Sequence, residues 1–183
     1  MNVIETRLKG VVIIEPVVFG DHRGFFLESY NQNSYRAAGI QENFVQDNHS
    51  RSGKDVLRGL HFQRKKPQGK LVRVTEGEVF DVAVDINPHS ETFTQWVGIT
   101  LSANNHRQFY VPPGYAHGFV VISETADFQY KCTEFYDPAD EGGILWNDSR
   151  LAIDWPVINP KLSDKDRNLP TIEQALDQLT TSI

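Results

Sequence analysis

Residues 70–86 read Lys70-Leu-Val-Arg-Val-Thr-Glu-Gly-Glu-Val-Phe-Asp-Val-Ala-Val-Asp-Ile86, and this stretch decides the fold class. Apolar and polar side chains alternate on both sides of Gly77, which predicts two β-strands at 70–75 and 78–86. The segment Thr75-Glu76-Gly77 predicts a hairpin turn between them, because glycine readily adopts the positive φ that such turns require. The stretch therefore favours antiparallel β-structure.

The same pattern of short strands separated by turns extends along most of the chain. Further strands are predicted at 11–18, 24–30, 43–49, 56–63, 95–101, 108–111, 118–122 and 126–135. Helical signals are weak: residues 31–38 predict a short helix ending at Gly39, and Ile172, Leu176 and Leu179 recur at helical spacing. Strands this numerous and closely spaced predict an all-β sandwich or barrel with a few short peripheral helices.

Length and composition restrict the class of protein. A chain of 183 residues with 39% hydrophobic residues can bury one sizeable core, so we expect a single domain over 1–183. The net charge of -6 disfavours a general nucleic-acid binder. No apolar run has the length of a membrane helix, and the N-terminus lacks the apolar core of a signal peptide, so we expect a cytoplasmic protein. Cys132 is the single cysteine, which excludes an intrachain disulfide and a cysteine-based zinc cluster.

One segment of this acidic chain is strongly basic. Eight of the 18 lysines and arginines fall between positions 51 and 73: Arg51, Lys54, Arg58, Arg64, Lys65, Lys66, Lys70 and Arg73. Such a local inversion of charge indicates an anion-binding site, with phosphate or a developing oxyanion as the anion.

Strand alternation places two polar side chains on apolar faces. Lys70 shares a face with Val72 and Val74, and Tyr130 shares a face with Phe128 and Cys132. Burying an ammonium group or a phenol is costly unless the group has a partner or a function. For Tyr130, a core tyrosine with one hydrogen bond is the structural alternative to a functional role.

His61 lies within the basic segment, in Leu57-Arg-Gly-Leu-His-Phe-Gln63. A single histidine in a strand is more often structural than catalytic. Here Gly59 permits a close approach of backbone, and Arg58 and Lys70 are available to bind an anion beside the ring. These neighbours favour a role for His61 as a general base.

The segment Val111-Pro-Pro-Gly-Tyr-Ala-His117-Gly-Phe-Val resembles the second sequence motif of cupin jelly rolls, whose histidine often binds a metal. The first cupin motif would supply two more histidines one residue apart, but this chain has His61-Phe62-Gln63 there. We therefore expect no metal. His117 is then interpreted as a substrate-pocket residue, with a structural role in the turn as the alternative.

Seven segments in order resemble the dTDP-4-dehydrorhamnose 3,5-epimerase family and span nearly the whole chain. They are Phe19-Gly-Asp-His-Arg-Gly-Phe-Phe-Leu-Glu-Ser-Tyr30, Phe44-Val-Gln-Asp-Asn-His-Ser50, Leu57-Arg-Gly-Leu-His-Phe-Gln63, Gly77-Glu-Val-Phe-Asp-Val-Ala-Val-Asp85, Pro113-Gly-Tyr-Ala-His-Gly-Phe119, Gly143-Ile-Leu-Trp-Asn-Asp148 and Leu162-Ser-Asp-Lys-Asp166. The resemblance implies a cupin jelly roll, no metal or nicotinamide cofactor, and a homodimer with exchanged strands. Residues 1–50 would contribute strands to the dimer interface, with 11–18 a candidate for exchange, and residues 160–183 would pack on the barrel.

The resemblance also implies roles for individual residues. His61 would be the general base, Asp166 the carboxylate that orients it, Tyr130 the general acid and Lys70 the cation near the C4 oxygen of the sugar. Substrate contacts would come from Arg23, Glu28, Gln46, Asp47, Asn48, Arg58, Lys70, His117, Glu141 and Lys165, with Arg23 and Arg58 binding the diphosphate.

The implied substrate is dTDP-4-dehydro-6-deoxy-D-glucose, whose C4 ketone acidifies the hydrogens on C3 and C5. Inversion needs a base on one face of the sugar, an acid on the other and a positive group at the enolate oxygen. Alternatives on the same scaffold are an epimerase of C3 or C5 alone, a ketoisomerase, a non-catalytic nucleotide-sugar binder, and a metal cupin such as a dioxygenase or phosphosugar isomerase.

Overall fold

The computed structural model describes residues 1–180 and shows thirteen β-strands and three short helices. The strands are β1 (Asn2–Glu5), β2 (Val12–Glu15), β3 (Val18–Asp21), β4 (Gly24–Leu27), β5 (Gln46–Gly53), β6 (Leu57–Gln63), β7 (Lys70–Glu76), β8 (Glu78–Asp85), β9 (Trp96–Ser102), β10 (Gln108–Val111), β11 (Tyr115–Val121), β12 (Thr125–Cys132) and β13 (Glu141–Gly143). The helices are α1 (Gln32–Ala37), α2 (Asp164–Arg167) and α3 (Ile172–Thr180).

Two antiparallel sheets form a sandwich. The six-stranded sheet has the order β1-β2-β10-β7-β12-β5, and the five-stranded sheet has the order β13-β6-β11-β8-β9. Strands β3 and β4 form a separate hairpin. The prediction of an all-β jelly roll with short peripheral helices is confirmed.

The main core lies between the two sheets. Alternate residues of β7 and β12 point into it, including Val72, Val74 and Phe128, and they meet Val79 and Ala83 of β8. Lys70 and Tyr130 continue these inward rows towards one end of the sandwich. The core therefore fixes the backbone that carries both polar side chains.

A second core covers the outer face of the five-stranded sheet. Val82 and Val84 of β8 and the next residue along the chain, Ile86, are buried there against α3 and the segment that contains Trp155. Helix α3 contributes Ile172, Ala175 and Leu179 to this core. Both faces of β8 are therefore buried. Of the predicted C-terminal segment 160–183, residues 181–183 lie outside the described residues.

The predicted hairpin at Thr75-Glu76-Gly77 is wrong. Strand β7 belongs to the six-stranded sheet and β8 to the five-stranded sheet, so this turn is a corner at which the chain changes sheets. The expectation of a positive φ at Gly77 is confirmed, since φ is 74°. A Cβ atom there would lie 1.9 Å from the carbonyl oxygen of Thr125, so the corner has no room for a side chain.

Other differences from the predicted elements are local. The strand predicted at 11–18 is divided into β2 and β3, and Pro16 follows β2 because proline has no N–H to donate to a ladder. Strands β1 and β13 are too short to give a clear alternating pattern. Helix α1 begins after Asn31, whose side chain accepts hydrogen bonds from the amides of Asn33 and Ser34.

Candidate active site

A cavity of about 650 Å³ opens at the end of the sandwich where the inward rows end in Lys70 and Tyr130. Strands of both sheets line it, together with the segment that contains α2. Ten of the residues predicted from the sequence line this cavity: Gln46, Asn48, Arg58, His61, Lys70, His117, Tyr130, Glu141, Lys165 and Asp166. The fold thus brings most of the predicted site into one place.

His61 and Asp166 form a close pair. His61 Nε2 lies 2.6 Å from Asp166 Oδ1, and Asp166 is only 3% exposed. Burial by itself raises the pKa of Asp166, but the hydrogen bonds from His61 and Ser163 and the nearby charges of His61 and Lys165 lower it overall. The carboxylate is therefore ionised and accepts the Nε2 hydrogen, which leaves Nδ1 of His61 free to accept a proton.

Lys70 reaches the same cavity from β7 of the opposite sheet. Burial lowers the pKa of its ammonium group, and the charges of Cys132, Asp81 and Glu141 partly offset that effect. Among the residues that the structure describes, no carboxylate forms an ion pair with Lys70. Its positive charge is thus available to a negatively charged group in the cavity.

Tyr130 lies on β12, the neighbour of β7, and packs against Phe128 with 5.8 Å between ring centroids. Burial raises the pKa of Tyr130, and the positive charge of Arg58 opposes that shift. The phenol therefore carries its proton at neutral pH. No hydrogen bond to the Tyr130 hydroxyl is found within residues 1–180, so the structural alternative of a core tyrosine with one hydrogen bond is not supported.

His117 forms a second histidine–carboxylate pair deeper in the sandwich. Its Nε2 atom lies 2.8 Å from Asp81 Oδ1, and both side chains are buried. His117 also stands directly opposite His61 across the β6–β11 ladder. Asp81 Oδ2 is buried and has no hydrogen-bond partner among residues 1–180. The second pair fixes the His117 ring at the wall of the cavity.

Glu141 connects β13 to α2 at the rim of the cavity. Lys165 Nζ donates to Glu141 Oε1 at 2.7 Å, and the Tyr136 hydroxyl donates to Glu141 Oε2 at 3.0 Å. Burial raises the pKa of Glu141, but these two hydrogen bonds and the charges of Lys165 and His61 lower it overall. Lys165 and Glu141 are therefore paired with each other at the cavity rim.

Arg58 supplies a second positive charge. Its guanidinium group donates to Ser52 Oγ from Nε at 3.1 Å and from Nη2 at 3.0 Å. No carboxylate pairs with it within the described part of the chain. Gln46 and Asn48 line the same cavity from β5, the edge strand of the six-stranded sheet.

Three predicted substrate contacts lie outside this cavity. Arg23 is on the β3–β4 hairpin, largely exposed, and donates from Nη2 to Asp21 at 2.6 Å. Glu28 accepts hydrogen bonds from Asn31 and Ser34 near α1. Asp47 lies on the other face of β5 and pairs with Lys131 at 2.9 Å. The single chain does not bring these three side chains to His61.

Close backbone contact between β6 and β11 positions the two histidines. A Cβ atom at Gly59 would lie 2.6 Å from the Cα atom of Gly118 and 2.9 Å from the carbonyl oxygen of His117. The ladder is also irregular between His117 and Phe119. Glycine at position 59 therefore allows the strands to meet beside the site, as the sequence indicated.

Several polar residues of the site were not predicted from the sequence, among them Asp81, which pairs with His117, and the cavity residues Gln68, Tyr136 and Ser163. Asp81 was missed because its strand carries a second apolar face, which made the polar face look like an outer one. Ser163 precedes Asp164-Lys-Asp166 in the pattern of a helix N-cap, a signal that was available in the sequence. No local pattern distinguishes Gln68 and Tyr136 from other loop residues.

Within residues 1–180, no group of three His, Cys, Asp or Glu side chains is arranged to hold a metal ion. No helix there is long and apolar enough to cross a membrane.

The family of this chain follows from its similarity to known proteins. The family model for dTDP-4-dehydrorhamnose 3,5-epimerase matches residues 5–174. The enzyme of that name from Salmonella typhimurium is 58% identical over 179 residues, which cover 96% of this chain and 98% of that protein. A crystal structure of dTDP-6-deoxy-D-glucose-3,5-epimerase from Legionella pneumophila Philadelphia 1, in complex with dTDP-4-keto-L-rhamnose, has a TM-score of 0.94 and 52% identity, and the match covers 97% of this chain and 96% of that one.

A more distant structure has a different activity. A 3'-monoepimerase from Streptomyces bikiniensis, in complex with dTDP-quinovose, has a TM-score of 0.87 and 30% identity, with 97% of each chain covered. The fold is thus shared with an epimerase of one carbon, whereas the Salmonella and Legionella relatives, which have higher identity, are 3,5-epimerases. On the family match over residues 5–174 and these identities, the chain belongs to the dTDP-4-dehydrorhamnose 3,5-epimerase family.

Proposed function

We propose that this chain is an isomerase that inverts C3 and C5 of dTDP-4-dehydro-6-deoxy-D-glucose to give dTDP-4-dehydro-L-rhamnose for dTDP-L-rhamnose biosynthesis. One observation carries the proposal: His61 on one sheet, paired with Asp166 of α2, faces a phenol and an ammonium group on the other sheet across one cavity. No carboxylate among residues 1–180 forms an ion pair with that ammonium group. The bound ligand of the Legionella structure supports the choice of a dTDP-4-keto sugar. No cofactor takes part in the proposed reaction.

Proton abstraction is assigned to His61. Its Nδ1 atom accepts the hydrogen from C3 or C5, and the electrons of the broken C–H bond move towards the C4 carbonyl group to form an enolate. Asp166 stabilises the resulting imidazolium through Nε2. The ammonium group of Lys70 stabilises the negative charge that develops on the C4 oxygen.

Reprotonation from the opposite face is assigned to Tyr130. The phenol donates its hydrogen to the carbon, the enolate electrons form the new C–H bond, and the ketone is restored with inverted configuration. Its raised pKa supports this role, because a protonated phenol is available before each transfer. His61 then releases its proton to solvent and the phenolate recovers one, which restores both groups.

Substrate binding is assigned to charged and polar groups around these four residues. Arg58 binds the diphosphate together with Arg23, since guanidinium groups suit phosphate oxygens. The remaining proposed contacts are Glu28, Gln46, Asp47, Asn48, His117, Glu141 and Lys165. Since Lys165 and Glu141 form an ion pair, we expect the substrate either to replace one partner of this pair or to bind to both.

We also propose that the enzyme is a homodimer in which the second copy completes the site. Arg23 and Glu28 lie away from the His61 cavity of their own chain. The hairpin that carries Arg23 exposes Phe19, Phe25 and Phe26, an apolar surface suited to contact with another chain. A second copy would cover this surface and bring Arg23 to the nucleotide. The cytoplasmic location stays a prediction.

The proposal is tested by incubating the purified protein with the 4-keto sugar nucleotide in deuterated water and following C3 and C5 by NMR. We expect deuterium at both carbons and formation of the L-rhamno product. Exchange at only one carbon would indicate that the protein is a monoepimerase, which is the activity of the Streptomyces relative. Migration of the ketone would identify a ketoisomerase, and binding without exchange would identify a nucleotide-sugar binder.

A further inference from the structure

We infer that Ser163 is a positioning residue for the proposed reaction: its hydroxyl group holds helix α2 in the geometry that keeps the Asp166 carboxylate on His61. The inference rests on the proposed function and adds a residue to it. Ser163 lines the His61 cavity, but the mechanism above gives it no role.

Helix α2 cannot maintain its own geometry. It contains only the four residues Asp164–Arg167. A single turn is unstable in isolation, because the cost of nucleation is not offset by the few hydrogen bonds that follow. The orientation of Asp166 must therefore depend on contacts at the ends of the turn.

Ser163 makes such a contact at the start of the turn. It has the extended backbone of an N-cap, with φ -66° and ψ 159°, and its Oγ atom accepts a hydrogen bond from the backbone amide of Asp166 at 3.0 Å. Asp166 is thus held by two residues: Ser163 accepts a hydrogen bond from its amide and also stabilises its ionised carboxyl group, and His61 pairs with the carboxylate. Because Asp166 is buried, loss of the Ser163 hydroxyl would leave its amide without an acceptor.

The chain that precedes Ser163 is anchored to the sandwich, and the turn that follows it is closed by a local hydrogen bond. The Lys161 amide donates to the carbonyl oxygen of Asp55 at 2.7 Å, and the Leu57 amide donates to the carbonyl oxygen of Lys161 at 3.1 Å. Beyond the turn, Asn168 Nδ2 donates to the carbonyl oxygen of Asp164 at 2.7 Å. Lys161 therefore holds the segment at the start of β6, and Ser163 directs it from there into the turn that carries Asp166.

The test uses the full-length protein and the substrate defined above. The variants are Ser163→Ala, Ser163→Thr, Asp166→Asn and the double variant Ser163→Ala/Asp166→Asn. Thr171→Ala is the matched control, because Thr171 Oγ1 caps α3 by accepting from the Gln174 amide at 3.3 Å. Thr171 does not line the His61 cavity. For each protein, kcat and KM are measured, together with the thermal midpoint of unfolding.

We expect Ser163→Ala to lower kcat about tenfold and to change KM by less than about twofold, because orientation of the base is lost while substrate binding is kept. Ser163→Thr keeps the accepting oxygen and should retain kcat within about threefold of the wild type. On the Asp166→Asn background, Ser163→Ala should cause no further loss, since the two residues act through one hydrogen-bonded unit. Thr171→Ala should lower the thermal midpoint without lowering kcat.

Three results would overturn the inference. A rise in KM at unchanged kcat would make Ser163 a substrate contact. A full additional loss of kcat in the double variant would show that Ser163 does not act through Asp166. An equal loss of kcat in Thr171→Ala would show a general loosening of the C-terminal segment.

Two further points keep the experiment decisive. If Ser163→Ala does not fold, Ser163→Gly replaces it, because glycine is well tolerated at an N-cap but provides no hydroxyl. A wild-type protein without exchange at C3 and C5 would refute the proposed function and this inference together. An active wild type with an unaffected Ser163→Ala variant would refute the inference alone.

Discussion

His61 Nε2 and Asp166 Oδ1 lie 2.6 Å apart, although 105 positions separate the two residues in the sequence. This distance leaves Nδ1 as the basic nitrogen of the ring. Because Asp166 lies in α2, the reactivity of His61 in β6 also depends on this one-turn helix.

Replacement of the proposed base should stop exchange at both carbons. His61→Ala removes the only proposed acceptor for the C3 and C5 hydrogens, so we expect deuterium incorporation to fall by at least about 10³-fold. NMR in deuterated water measures both positions in one sample. His89→Ala, in an exposed loop, is the control and should keep wild-type exchange. Substantial exchange in His61→Ala would identify a different base.

Replacement of the proposed acid should separate exchange from inversion. In Tyr130→Phe, His61 can still remove and return a proton on its own face, whereas delivery from the opposite face is lost. We therefore expect deuterium exchange to persist while the yield of inverted product falls about 10²-fold or more. Tyr115→Phe is the control, because the Tyr115 hydroxyl bonds the backbone of Lys9 outside the His61 cavity. Equal loss of exchange and inversion would instead indicate that Tyr130 positions the substrate.

Replacement of Lys70 should increase the stability of the fold and decrease the rate of the reaction. Lys70→Met removes an ammonium group that is largely desolvated and has no carboxylate partner among residues 1–180, so we expect the free energy of unfolding at pH 7 to rise by on the order of 1 kcal/mol. The same change should lower kcat about 10²-fold or more, because the enolate loses its cation. Lys54→Met removes an exposed lysine paired with Glu124 and should not increase stability. An unchanged kcat in Lys70→Met would exclude the proposed role at the C4 oxygen.

The stabilising effect of Lys70→Met should depend on pH. Burial lowers the pKa of Lys70 from its ordinary value of 10.5. Between the lowered value and 10.5 the unfolded chain binds more protons than the folded chain, so the stability of the wild type rises with pH relative to that of the variant. Denaturant unfolding at several alkaline pH values should show the two proteins converging towards pH 10.5. A constant difference between them would contradict the lowered pKa.

The position of Arg23 predicts complementation between two defective chains. If Arg23 acts in the site of the second copy, co-expression of Arg23→Ala with His61→Ala yields mixed dimers with one intact site. Random pairing makes about half of the dimers mixed, so we expect about a quarter of the wild-type activity. His61→Ala co-expressed with Lys70→Met should restore nothing, because both residues line one cavity of one chain. If co-expression of Arg23→Ala with His61→Ala restores no activity, Arg23 acts in the site of its own chain or does not act in the site at all.

Period-two alternation was sufficient to predict the all-β fold and the inward positions of Lys70 and Tyr130. It did not show which strands pair. Gly77 has the positive φ of a turn residue, but the same backbone conformation serves a hairpin and a corner between sheets. Pairing depends on contacts with strands elsewhere in the chain, which the local sequence does not contain.

The functional site was only partly predicted from the sequence, and the reason is similar: local sequence does not show contacts with distant segments. Asp166 was assigned by resemblance, because no periodic pattern connects a single helical turn to a strand so distant in sequence. Asp81 was missed since the face opposite to it is covered by α3, whose packing cannot be read from β8 alone. The predicted roles of the cavity residues remain predictions, and the variants above test them.

The contact between Gly59 and Gly118 has a consequence for altering the substrate range of this enzyme. A methyl group at position 59 would meet the neighbouring backbone rather than a flexible side chain, so the clash could be relieved only by separating β6 from β11. That separation would move His61 and His117 apart at the cavity wall. Attempts to enlarge the cavity for bulkier sugars should therefore vary the side chains of β5 and β13, at the edges of the two sheets, and leave this glycine pair unchanged.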